Sequence, residues 1–545
     1  MKRLIVAMLV LALTPFALMA QKTVSTLPLV SGENVAVTNT NSGKVRGYIH
    51  NNIYTYKGIP YAQAKRFQAP EKPKAWDGVR SSMGYGPVSP LMTPTTSVND
   101  ETEFVFHHDF GYTNEDCLRL NVWTPGINDG KKRPVMFWIH GGGYTAGSSQ
   151  ELPSYDGEAI AKKGDVVLVS VNHRLNILGF LDLSEFGDKY KGGANASFLD
   201  LVVALQWVRD NISNFGGDPN NVTIFGQSGG GGKVSTLMSS PVAKGLFHKA
   251  IVQSGIWGDF QDQQVSKRIG AAVLNELGLI PSKVDSIQKV PYEKLVAAGD
   301  AAMKKVREQL QAEGKNLDGF GRMGWTPTVD GTFLTHHMKD AEALALSSNI
   351  PFLIGSTKNE FMNSLRNPAL VHADEAAVKD FLKKQWGDKT DAYIAAVKKS
   401  YPADTKPNDL ADIDGFFRPG TVLQSNARAN AGNPVFVYLF TWQSPVIDGK
   451  YKALHCMEIP FAMNNIARCE EMTGGGKEAY ALADKMSTAW INFAKTGDPN
   501  HKGLPVWPKY TEQGGATMLF DNTSTVKNHP DKAILDITMS QPPRF

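Results

Sequence analysis

The sequence predicts an α/β fold in which a large, mostly parallel central sheet is flanked by helices. Three observations predict it: short apolar runs without polar alternation, helical apolar spacing between them, and a glycine-flanked serine between such a run and a helical stretch. The runs are Val135–Ile139, Val166–Val171, Val222–Phe225, Ala250–Val252, Pro351–Ile354 and Val435–Phe440. Apolar strands without alternation are buried on both faces, the condition of a parallel sheet covered by helices. Between the second and third runs, Leu201, Val202, Leu205, Val208 and Ile212 recur at helical spacing and give a crossover helix. Ala481, Leu482, Met486, Ala489, Trp490 and Phe493 mark a second helix, ended by Gly497 and Pro499. The polar, helical stretch at about 261–311 reads as an insertion over the ends of the strands. No repeat or low-complexity linker divides the chain, so residues 21–545 are expected to form one unit.

The 545 residues carry 57 Lys+Arg against 53 Asp+Glu, a net charge of +4, with 42% hydrophobic and 20% charged residues. That mixture excludes a disordered chain. Its charge is too balanced for nucleic acid to be the main partner. Cys117, Cys456 and Cys469 are too few for a disulfide framework and lack the short spacing of zinc ligands. At the start, Lys2 and Arg3 precede the apolar run Leu4–Leu13 and then Ala17-Leu18-Met19-Ala20-Gln21. Residues 1–20 therefore read as a secretory signal peptide, cleaved after Ala20, with export to the periplasm or beyond the cell. An uncleaved anchor is the alternative, since Leu18 sits where a small residue is preferred. The run is about ten residues, against roughly 20 for a bilayer span, and no later segment is long and apolar enough to span one.

The chemistry centres on Gly226-Gln227-Ser228-Gly229-Gly230, directly after the run Val222–Phe225 and before the helical stretch Val234–Ser239. A strand–turn–helix elbow forces its serine onto a tight turn, and the flanking glycines keep side chains out of crowded backbone. A glycine-rich turn with an incidental serine is the bland alternative. His140-Gly141-Gly142-Gly143-Tyr144 follows the strand ending at Ile139. Consecutive glycines let N–H groups point into a cavity, where with the Gly229 N–H they can hold a negative oxygen. A serine nucleophile needs a base, and the base an orienting carboxylate. Glu360 and His455 follow in the order Ser, acid, His. Spacing alone does not select His455, because His248, His336, His337, His372, His501 and His529 also lie after the serine.

The chain resembles the type-B carboxylesterases, the branch of the α/β-hydrolases that includes cholinesterases and fungal lipases. The likeness runs from about Gly43 to Tyr510 and begins with Tyr56-Lys57-Gly58-Ile59-Pro60-Tyr61-Ala62, Phe67 and Trp76. It continues through Glu115-Asp116-Cys117-Leu118-Arg119-Leu120-Asn121-Val122-Trp123, Asn172-His173-Arg174-Leu175 and Asn214-Phe215-Gly216-Gly217-Asp218-Pro219. It closes with Trp325-Thr326-Pro327-Thr328-Val329-Asp330-Gly331 and Ala489-Trp490-Ile491-Asn492-Phe493-Ala494. The resemblance implies an α/β-hydrolase fold with Ser228 as nucleophile, Glu360 as triad acid and His455 as base. It implies oxyanion donors at Gly142, Gly143 and Gly229, a small carboxylic ester and water as partners, and no metal or organic cofactor. The pair His107-His108 is a poor metal site, since neighbours on an extended chain point opposite ways.

Three positions depart from the family pattern. Gln227 stands where the family usually has Glu, which removes a negative charge beside the base. Gly229 stands in place of Ala and opens a run of glycines to Gly232, of which crowding at the elbow explains the first ones but not all four. Ser89 takes the place of the Cys that commonly pairs with the one at 117, and Cys456 and Cys469 are expected as thiols rather than a disulfide. Related acyl transfers to water (amide, thioester or carbamate cleavage), a lipase, and a non-catalytic recognition protein on the same fold are the rival readings. A cholinesterase is disfavoured, because the segment Glu101–Asn114 offers Phe104, Phe106, Phe110 and Tyr112 but no Trp for a strong cation–π contact.

Overall fold

Each apolar run falls on a strand of one 12-stranded sheet. The computed structural model describes residues 27–91, 100–317 and 321–540, so the export segment 1–20 lies outside the described residues. In chain order the strands are β1 (Leu29–Val30), β2 (Tyr48–His50), β3 (Ile53–Pro60), β4 (Arg119–Thr124), β5 (Arg133–Ile139) and β6 (Val167–Val171). They continue with β7 (Gly217–Gln227), β8 (Lys249–Gln253), β9 (Phe352–Thr357), β10 (Val435–Phe440), β11 (Ala516–Phe520) and β12 (Thr525–Asn528). Their order across the sheet is β1-β2-β3-β4-β6-β5-β7-β8-β9-β10-β11-β12. From β6 to β11 every pairing is parallel. The edge β1–β4 and the last strand β12 pair antiparallel, so the sheet is mixed at its margins.

Successive side chains on a strand point to opposite faces. Val135, Phe137 and Ile139 accordingly enter one hydrophobic cluster, and Met136 and Trp138 enter another. Trp138 is fully buried between the rings of Tyr155 and Phe225, at 5.1 and 4.9 Å. Burying a side chain of this kind stabilises the fold by about 1.5–3 kcal/mol. This two-sided burial explains why the runs show no polar alternation.

The principal helices are α1 (Ala196–Asn211), α2 (Gly229–Met238), α3 (Gln263–Glu276), α4 (Tyr292–Ala312), α5 (Phe417–Asn430) and α6 (Lys477–Thr496). Leu201, Leu205 and Val208 of α1 cover one face, and Leu482, Met486, Trp490 and Phe493 of α6 cover the other. Gly497, left-handed at φ +81°, stops α6 as the sequence indicates. The inserted helices α3 and α4 pack on each other and on the segment that follows β6. Ser266 donates to Asp182 at 2.5 Å, and Tyr292 donates to the Pro90 carbonyl at 3.1 Å. The insertion therefore sits beyond the carboxyl ends of the parallel strands, the end that carries ligands in such sheets.

All three cysteines are free thiols. Ser89, where a disulfide partner is common in the family, accepts the Leu175 N–H at 3.2 Å, and burial pushes the Cys117 thiol up to about 12. Among the described residues, no helix is long and apolar enough to cross a membrane.

Candidate active site

β7 ends at Gln227 and α2 begins at Gly229, leaving Ser228 alone on the turn with φ 58° and ψ −123°. Such a conformation costs about 1–3 kcal/mol and persists only where its surroundings enforce it. The Ser228 N–H donates to Gln253 on β8 at 2.8 Å, and its carbonyl accepts the Gly232 N–H at 3.0 Å to start the helix. The glycines answer to crowding. A Cβ on Gly226 or Gly230 would lie 2.6 or 2.1 Å from the Ile139 carbonyl oxygen. One on Gly229 would lie 2.1 Å from the Gly143 oxygen, and one on Gly231 would lie 2.8 Å from the Gly255 Cα. Gly232 differs, since its nearest neighbour is the tip of Tyr144 at 3.0 Å. Backbone packing thus accounts for three of the four glycines that open α2.

The glycine loop leaves β5 at Ile139 with positive φ at Gly142 (79°) and Gly143 (63°), conformations that glycine adopts without strain. Among the described residues, no acceptor is bonded to the Gly142 or Gly143 N–H. The Gly229 N–H opens α2, where a helix has no internal acceptor for it. The loop touches the elbow where Gly143 backbone lies against Gly229, and the space beside the Gly143 Cα is open.

Glu360 follows the end of β9 and is fully buried. One of its oxygens accepts the Thr357 N–H at 2.7 Å, and the other lies 2.5 Å from His455 Nδ1. The two loops are stitched together: the His455 N–H donates to the Glu360 carbonyl, and the Asn359 N–H to Ala453, both at 3.1 Å. A carboxylate at Nδ1 fixes the proton there and leaves Nε2 as the basic nitrogen. Phe417 stacks on the imidazole at 5.1 Å and 15°, and Phe361 leans on it at 4.8 Å while remaining 42% exposed. The Gln227 amide nitrogen lies 3.2 Å from Nε2 and 3.3 Å from Nδ1, so it sits against the ring rather than along one nitrogen. The Ser228 hydroxyl forms no hydrogen bond among the described residues.

Burial works against a charged His455, but the Glu360 carboxylate and its hydrogen bond, with Glu458 and Asp414 nearby, outweigh it and raise the imidazole above its ordinary value. Burial and then the charge of Glu360 push both Glu458 and Asp414 up to about 7. Glu458 accepts from Gln253 at 3.2 Å, and Gln253 in turn accepts from Trp490 at 3.1 Å.

The structure thus brings Glu360 and His455 into contact, sets Gln227 of the Ser228 elbow against the same imidazole, and lays Gly143 on Gly229. Other histidines left open by spacing have separate duties. His248 accepts the Val222 N–H, while His501 and His529 donate to the carbonyls of Lys485 and Gln513. His107 and His108 share Glu103, at 3.7 and 2.9 Å. Sequence reasoning missed Glu458, Asp414, Phe417 and Lys233. For Glu458 a signal existed, a lone charge inside the apolar segment Met457 to Phe461.

Residues 34–537 match the sequence model of the Carboxylesterase family. The chain is 35% identical to para-nitrobenzyl esterase of Bacillus subtilis (strain 168), a match covering 91% of this chain and 96% of that protein. It is 32% identical to phenmedipham hydrolase of Pseudarthrobacter oxydans, covering 89% and 94%. The solved structure of an esterase from anaerobic Clostridium hathewayi, described as able to hydrolyze aliphatic aromatic polyesters, is similar with a TM-score of 0.79. Identity to it is 39%, covering 93% of this chain and 98% of that one.

Proposed function

The chain belongs to the carboxylesterase family and is a carboxylic ester hydrolase, and from that premise we propose that Ser228, His455 and Glu360 carry out the reaction through an acyl-enzyme. His455 takes the Ser228 proton at Nε2 as the hydroxyl oxygen attacks the ester carbonyl. The carbonyl electron pair moves onto oxygen, which the N–H groups of Gly142, Gly143 and Gly229 receive. The alcohol leaves with the proton held by His455, and water activated by the same nitrogen then releases the acid. Glu360 keeps the ring in the working tautomer and stabilises its positive charge. What supports this reading is the 2.5 Å contact between Glu360 and His455 beside a strained serine elbow.

Phe361, exposed beside the imidazole, favours esters that present an apolar, preferably flat, group to that wall. The names of the relatives, a para-nitrobenzyl esterase and an esterase for aliphatic aromatic polyesters, agree with that preference. The enzyme is proposed to act outside the cytoplasm, on the strength of the basic, apolar, small-residue pattern in residues 1–20.

A panel of nitrophenyl esters of varied acyl length, with matched amides, thioesters and carbamates, tests the assignment on wild type and Ser228→Ala. Ester turnover is expected to fall about 10⁶-fold in the variant with its fold intact. A variant as active as its parent would overturn the nucleophile.

A further inference from the structure

Lys233 is fully buried on α2, in a position that the mechanism above leaves unused. Its ammonium donates to the His140 carbonyl at 3.1 Å and reaches the Gly141 carbonyl at 3.5 Å. The Gly141 carbonyl also accepts the His140 Nδ1–H at 3.0 Å. Both carbonyls lie beyond the end of β5, where the sheet supplies no partner.

A trans peptide unit is planar, with its N–H directed opposite to its C=O. The unit that carries the Gly141 carbonyl also carries the Gly142 N–H. An ammonium that holds the carbonyl therefore turns that N–H to the other side of the loop. The same charge draws electron density onto the carbonyl oxygen and makes the N–H a stronger donor.

We propose that Lys233 is a positioning residue for the oxyanion site, anchoring the start of the glycine loop through the His140 carbonyl and aiming and polarising the Gly142 N–H through the Gly141 carbonyl. The inference rests on the esterase reading of Gly142. A buried ammonium is expensive, with an effective penalty of several kcal/mol, so packing alone is a poor reason for a lysine here. The titratable groups facing Lys233 are Glu151, whose charge supports the ammonium, and His140 and His173, stacked at 5.0 Å. Burial and then the charge of Lys233 hold both imidazoles well below their ordinary value, so they are neutral neighbours. Burial pulls Lys233 itself down to about 7 against the influence of Glu151, a perturbation typical of functional sites.

Lys233→Met keeps the length of the stem and removes donor and charge, and Lys233→Gln keeps a donor without charge. Each is compared with wild type by thermal unfolding, ester kinetics and affinity for a trifluoromethyl ketone. The serine oxygen adds to that ketone, its proton passes to His455, and the ketone oxygen becomes the oxyanion. The Met variant is expected to lose about ten- to a hundredfold in kcat/KM and the same factor in ketone affinity, with KM unchanged. The Gln variant should lose less. Wild-type kcat and ketone affinity in a folded Met variant, or a loss confined to KM, would overturn the proposal. Should the Met variant not fold, the Gln variant decides on the same two quantities. Failure of the esterase reading looks different: an inert wild type, or full activity in Ser228→Ala.

Discussion

On the side of β9 and β10 the site is held by side chains, whereas on the side of β5 and β7 it is held by their absence. Glu360 and His455 are locked by their mutual contact, by the Thr357 N–H and by two backbone hydrogen bonds between their loops. The glycine loop and the elbow instead approach so closely that a single Cβ on Gly229 or Gly230 would strike backbone at 2.1 Å. The two sides also differ in charge. Buried carboxyls Glu360, Glu458 and Asp414 surround the imidazole, and the buried ammonium of Lys233 underlies the glycine loop. In acyl transfer a proton arrives on the imidazole while negative charge grows on the carbonyl oxygen. On the proposed mechanism, the charged forms of Glu360 and Lys233 carry the signs that favour what forms on each side.

Removing the acid breaks the first side most severely. Glu360→Gln is expected to lower kcat by about 10⁴-fold, because an amide leaves the imidazole in the wrong tautomer. The acid limb of the pH–rate profile should move down at the same time, since the groups that raise His455 lose their largest member. Steady-state kinetics across pH measures both effects.

The second side breaks through added volume. Gly230→Ala forces a methyl against the Ile139 and His140 carbonyls and is expected to reduce kcat by about 10²-fold through misplacement of the elbow. Its stability should fall by about 1–3 kcal/mol in thermal or urea unfolding. Gly232→Ala is the control, since it meets only the tip of Tyr144 and gains up to about 1 kcal/mol of helix propensity. Equal behaviour of the two variants would show that crowding does not shape this side.

The smallest expected effect lies at the boundary between the sides. If His455 is the base, as proposed, only its neutral form accepts the serine proton, and its raised pKa is expected to set the acid limb above the ordinary imidazole value of about 6.5. Gln227→Glu adds a negative charge against the ring, so the limb is expected to move further up with little change in the plateau rate. A limb that stays in place would mean that Gln227 does not face the working imidazole in solution.

The parallel centre of the sheet was legible because burial on both faces leaves an uninterrupted apolar run, as in Val435–Phe440, whose ends are those of β10. At the antiparallel edge β1 and β2 were not, because they are too short to show a period. Helices between β9 and β10, Glu375–Trp386 and Thr390–Ser400 among them, escaped notice because their apolar faces cover a small separate cluster that includes Val378, Leu382 and Val397. At the site, the elbow and the glycine loop announced themselves through residues that crowded backbone demands. His455 could be singled out only by resemblance, because its partnership with Glu360 depends on pairing between distant loops, Asn359 beside Leu454. Lys233 gave no sign, since a lysine on a helix ordinarily reaches water.

The most direct test of the central claim is to treat the protein with an organophosphonate ester and map the labelled peptide by mass spectrometry. A single adduct on Ser228, formed at a rate that falls as His455 is protonated, is the expected result. A label on another residue, or none at all on a protein that still cleaves esters, would contradict the account.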